Sequence, residues 1–160
     1  IMEDEKEIKN GLGGWLIIVG IGLILSPFLL IFKCYSGFAP IFADNTIQIL
    51  TDQNSPSYHP FWGPYLYGEL TFNLVLIVAS LYLIFLFFKK ISIFPKYFII
   101  FVVLNLLFLF IDAMLIKIVL PNEVIFDANT SKEIIRQFIY ASIWIPYMIY
   151  SKRVKATFIN

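Results

Sequence analysis

Five polar residues stand inside or at the ends of otherwise apolar stretches: Glu69, Asn73, Asn105, Asp112 and Arg136. An ionisable group in hydrocarbon is costly, so each one needs a partner or a water-filled cavity. Two carboxylates, one guanidinium and an amide that both donates and accepts can form a hydrogen-bonded network. Arginine suits its centre because its planar fork can bind two carboxylates at once. One reading of such a network is a lock on the register of packed helices. A second is an outward-facing cavity for a proton, an ion or a small polar ligand. A third leaves Arg136 reaching to the lipid headgroups with no contact between helices.

No other set of residues has the spacing of a reaction centre. The sequence has no His–Glu metal spacing and no glycine-rich phosphate loop. No serine or cysteine lies close to a candidate base. The lone cysteine, Cys34, excludes an internal disulfide and reads as a small apolar filler. His59 has no neighbouring Cys or second His, so metal binding is not expected there. No cofactor is implied. A net charge of +1 without a basic face argues against a nucleic-acid partner.

The elements that carry these residues are four long apolar runs, Leu12–Phe32, Leu66–Phe88, Tyr97–Leu120 and Ile134–Tyr150. A helix needs roughly 17–25 residues to cross a hydrocarbon core. Hydrophobic residues make up 59% of the chain and charged residues 14%, well under the roughly 25% charged of a soluble domain. The expected fold is all-α, a single transmembrane domain over 1–160 with spans at 12–32, 66–88, 97–120 and 131–150. The first run follows an acidic leader (Glu3, Asp4, Glu5 and Glu7 against Lys6 and Lys9) and has no small-residue cleavage site. It reads as a retained span rather than a signal peptide.

Basic residues sort by loop. Lys6, Lys9, Lys89, Lys90, Lys96, Lys152, Arg153 and Lys155 fall on one side, and Lys33, Lys117, Lys132 and Arg136 on the other. By the positive-inside rule both termini are expected in the cytoplasm. Lys152, Arg153 and Lys155 then face the anionic inner leaflet. The long first loop, Cys34–Tyr65, lies outside. Pro40, Pro56, Pro60 and Pro64 keep it from being one helix, and the cluster Tyr58, Phe61, Trp62, Tyr65 and Tyr67 at its end fits an aromatic belt. Ile41, Phe42, Ile47, Ile49 and Leu50 suggest a short element lying on the membrane or capping the bundle, or else a loop packed on the helix ends.

Thr130-Ser131-Lys132-Glu133 reads as a capping box that starts the last helix near Ser131. Pro27 and Pro146 should bend their helices. Gly22 and Ser26, with Gly20 close by, permit tight helix packing. Trp15 fits an interfacial anchor and Trp144 a side chain packed between helices. No internal repeat is visible, so an inverted-repeat transporter gains no support.

At 1.5 Å rise per residue, Asp112 lies roughly 23 Å along its span and Arg136 about 7 Å below the outer surface. Glu69, Asn73, Asp112 and Arg136 then share nearly one depth on three helices, and Asn105 sits near mid-membrane. The expectation is an Arg136–Asp112 contact whose loss in Arg136→Ala impairs the folded protein.

Gly13-Gly14-Trp15-Leu16, Leu25-Ser26-Pro27, Ile143-Trp144-Ile145-Pro146-Tyr147 and Ser151-Lys152-Arg153-Val154-Lys155-Ala156-Thr157-Phe158 resemble the bacterial membrane family known as domain of unknown function 2569. The resemblance extends over the whole chain in layout. It implies a small four-span inner-membrane protein with no established activity, and it brings no catalytic residues. The residues themselves favour a non-enzymatic protein that packs against lipid, a membrane protein partner or a second copy of itself. The alternatives are a small transporter or channel acting as an oligomer, or a binder of a small polar ligand in an outer-facing pocket; an intramembrane enzyme ranks behind these. The inner half of the spans holds little polar beyond Asn105 and Ser142, which disfavours a through-pore.

Overall fold

The computed structural model describes residues 11–122 and 124–160. The charges of the acidic leader, residues 2–10, lie outside the described residues. The described residues form six helices: α1 Trp15–Ala43, α2 Thr46–Thr51, α3 Trp62–Phe88, α4 Phe94–Val119, α5 Ala128–Tyr150 and α6 Lys152–Thr157. Three of them, α1, α3 and α4, are long and apolar enough to cross a membrane.

The helices follow the apolar runs, but their ends differ from the expected boundaries. α1 continues through Pro40 to Ala43, so Ile41 and Phe42 belong to it, and only Ile47, Ile49 and Leu50 lie in the short α2. α3 starts four residues early, at Trp62, and its first turns carry the aromatic cluster. α5 begins at Ala128, not Ser131, because Asp127 caps it: the Asp127 carboxylate accepts from the backbone N–H of Thr130 at 2.7 Å. Aspartate is among the strongest N-caps. The expected capping box does not form, and Glu133 is used elsewhere.

Pro27 lies inside α1. It cannot donate to the carbonyl four residues back, that of Leu23. The hydroxyl of Ser26 donates to that same oxygen at 2.9 Å, so the Ser-Pro pair replaces the bond it removes.

The chain folds as a ring of neighbours, α1–α3–α4–α5. Tyr65 opposite Asp112, Phe72 stacked on Phe108 at 3.8 Å and Tyr82 against Tyr97 fix an antiparallel register for α3 and α4. Phe98–Tyr140 joins α4 to α5. Long side chains bring α5 back to α1: Trp15 meets Trp144 edge-on at 6.3 Å, and Lys33 pairs with Glu133.

Buried residues form two clusters. The larger one, at the end where α6 sits, draws on every long helix: Leu16 and Val19, Leu83 and Leu86, Phe94 and Phe98, Trp144 and Met148. Val154 and Phe158 of the α6 region complete it. The smaller cluster, at the end where α2 sits, centres on Phe38, Tyr65 and Leu66 and has no α5 residue. The first is called the tail end below and the second the loop end. α1 packs tightly on α3 at Gly20, where a β-carbon would lie 3.0 Å from the Phe87 ring. Gly22 faces open space, so the tight packing expected at Gly22 and Ser26 falls at Gly20 instead.

Candidate functional site

The structure splits the five polar residues. Tyr65, in the first turn of α3, donates its hydroxyl to Asp112 Oδ1 across the α3–α4 seam at 2.9 Å. Glu69 stands one helical turn along from Tyr65, partly buried and within electrostatic reach of Asp112. These three form a polar group at the loop end, where Tyr65 also belongs to the cluster with Phe38 and Leu66.

Asn73 and Asn105 do not bridge helices. Each amide turns back onto its own helix, Asn73 onto the Glu69 carbonyl and Asn105 onto the Phe101 carbonyl, both at 2.9 Å. A side chain four residues on from a carbonyl reaches it with little cost in an apolar medium. The same solution recurs at Thr71 and Thr51, and Ser80 bonds the carbonyl three residues back.

Arg136 is the main correction. It does not reach Asp112; 70% of its side chain is exposed, and its one ion-pair partner among the described residues is Glu133, at 3.5 Å on its own helix. Depth along a helix carries no information on the facing direction. Arg136 points out of the ring, while Glu133, one turn earlier, points along it to Lys33 of α1. The ion pair that closes the ring is therefore Lys33–Glu133, and Tyr65 takes the place beside Asp112 expected for arginine. The signal for Tyr65 was its position four residues before Glu69, masked by its reading as an interfacial aromatic.

A second constellation lies at the tail end, where Lys152, Arg153 and Lys155 were expected to face lipid headgroups. Lys152 and Lys155 are exposed. Arg153 instead folds back over the start of α1: a β-carbon on Gly13 would lie 2.9 Å from Nη2, and one on Gly14 2.5 Å from Nη1. Its Nε is buried and has no partner among the described residues. Gly14 also holds φ +58°, a conformation suited to glycine. The Gly-Gly pair before Trp15 thus has two physical causes, a backbone turn and a guanidinium packed against it.

The rest of the closing motif clamps the same end. Ser151 caps α6 by accepting from the Val154 N–H. Thr157, buried, exchanges hydrogen bonds with the Gly11 backbone at 3.2 and 3.3 Å. Phe158 stacks on Phe94 with ring centroids 4.6 Å apart. Asn160 is bonded to the α3–α4 link through Ser92 N–H and the carbonyls of Lys89 and Lys90. Lys90, with φ +55°, makes the sharp turn that ends α3.

His59 accepts from the Phe61 backbone N–H through Nδ1 and so shapes the turn into α3. Among the described residues no three His, Cys, Asp or Glu side chains converge as metal ligands would.

No curated protein and no solved structure matches the chain. A family model described as "Protein of unknown function (DUF2569)" matches residues 9–159, which takes in both the Gly-Gly-Trp opening and the clamp that α6 builds upon it, and the chain belongs to that family.

Proposed function

We propose that the chain is a four-span protein of the bacterial inner membrane, with both termini cytoplasmic, that acts without bond chemistry by packing against lipid or a partner protein. α5 is the fourth span in this reading. Its 23 residues give about 34 Å of helix, enough to cross a hydrocarbon core. Lys89, Lys90, Lys96, Lys152, Arg153 and Lys155 all belong to the tail end, which supports its cytoplasmic placement.

The observation that carries the reading is the outward face of α5. Arg136 lies there beside exposed Ile135, Phe138 and Ile139. A guanidinium left uncovered on the side of a bundle calls for a partner group or for headgroups within its reach. A photo-reactive side chain at Ile139 tests this in native membranes. The reading expects a discrete protein adduct that Arg136→Glu removes; adducts to lipid alone, unchanged by that substitution, would overturn the partner reading. Orientation is tested by thiol labelling of Asp52→Cys and Asn160→Cys in a Cys34→Ser background, with only position 52 labelled from outside.

A second reading, a small polar ligand held at Glu69 and Asp112, is supported by one fact. Neither carboxylate forms an ion pair among the described residues. In that case Glu69→Gln changes ligand-dependent thermal stabilisation without changing the fold.

A further inference from the structure

We infer that the α3–α4 face holds an anionic diacyl phospholipid of the tail-end leaflet, with its acyl chains on an apolar cleft and its phosphate between Lys89 and Lys96. The inference rests on the reading of the bundle as membrane-spanning. A cleft of about 110 Å³ runs along the seam, its walls including Leu76, Ala79 and Tyr82 of α3 and Tyr97, Ile100 and Leu104 of α4. A second, shallower depression of about 460 Å³ lies alongside on α3 and shares Val75, Ala79 and Tyr82 with the first. Two adjacent apolar depressions that share Val75, Ala79 and Tyr82 suit the two chains of one lipid. The small Ala79 lines both depressions.

Charge supplies the end of the site. Tyr82 and Lys89 are seven residues apart, two turns on one face of the helix direction set by α3. Lys96 and Ile100 are four apart on α4, again one face. Both lysines thus continue the cleft walls toward the tail end, and both are exposed. The hydroxyl-bearing rings of Tyr82 and Tyr97, 6.0 Å apart, stand between the apolar channel and the cations. Apolar channel, tyrosine and then lysine is the order of a phospholipid from tail to phosphate.

The test is native mass spectrometry of the full chain released from nanodiscs of phosphatidylglycerol mixed with phosphatidylcholine. Retained lipid is expected to favour phosphatidylglycerol by about tenfold or more, since two lysines near an anionic surface act on it. The double variant Lys89→Gln/Lys96→Gln removes that preference and leaves the apolar surface whole. Ala79→Phe fills both channels and removes retention of either lipid. Equal retention of the two lipids by the native protein overturns the inference, and so does a preference that survives Ala79→Phe, which would reflect headgroup attraction alone. A protein that keeps no lipid yet resists extraction from membranes by alkaline carbonate sinks the cleft only. Extraction by carbonate sinks the membrane-spanning reading beneath it.

Discussion

The guanidinium of Arg153 lies so close over the backbone of Gly14 that a β-carbon there would sit 2.5 Å from Nη1. The two residues are far apart in the chain, and their contact ties the start of α1 to α6. Gly14→Ala therefore meets two obstacles, the clash and a φ of +58°. It is expected to destabilise the protein by about 1–3 kcal/mol, read as a lowered melting temperature in detergent. Gly22→Ala is the control. It faces open space inside a helix, and should be neutral or stabilising by up to about 1 kcal/mol.

The clash and the backbone strain separate in a double-mutant cycle. Arg153→Ala removes the guanidinium but leaves φ unchanged. Gly14→Ala should cost less in the Arg153→Ala background, by about 0.5 kcal/mol or more. Strict additivity would show that Arg153 moves aside freely and that the contact has no energetic role.

At the loop end, Tyr65→Phe removes the donor to Asp112 while keeping the ring in the Phe38–Leu66 cluster. A loss of about 1–2 kcal/mol is expected. Arg136→Ala should change stability in detergent by under about 0.5 kcal/mol, since its exposed pair with Glu133 contributes little. Arg136→Ala and Asp112→Ala should then be additive. A coupling above about 1 kcal/mol would restore the direct contact that their depths suggested.

The Lys33–Glu133 pair joins α1 to α5. Glu133→Lys places two cations together and should weaken the ring; adding Lys33→Glu should recover most of the loss. Failure of the swap to recover stability would show that the pair does not help to hold α5 against α1.

The Asp127 carboxyl is held below its ordinary value of 3.8 by hydrogen bonds from the Thr130 hydroxyl and backbone N–H. A group depressed in the folded state stabilises it above the unfolded value, and that contribution is lost as pH falls through the folded one. Amide exchange at Thr130 and Ser131 should therefore quicken as pH falls below about 4, relative to the intrinsic rate. In Asp127→Ala those amides should be less protected at neutral pH and show no such step.

Apolar run length alone determined that α1, α3 and α4 are long helices, because lipid-scale hydrophobic stretches exclude most other folds. Cation placement likewise gave an orientation to test. Local chemistry within one turn was missed at two places: Ser26 was read as a packing residue although its hydroxyl takes the place of the bond that Pro27 removes, and Asp127 was passed over for Thr130 since both are good caps. Direction around a helix was not legible. α3 and α4 carry apolar residues on every side, so periodicity did not mark the face that sets Asp112 against Tyr65, and depth along α5 gave no facing direction for Arg136. Only the packed ring decided that Tyr65 meets Asp112, that Lys33 meets Glu133, and that Gly13 and Gly14 lie under Arg153. Those contacts join residues 47 to 140 positions apart, and their geometry depends on how whole helices rotate against one another.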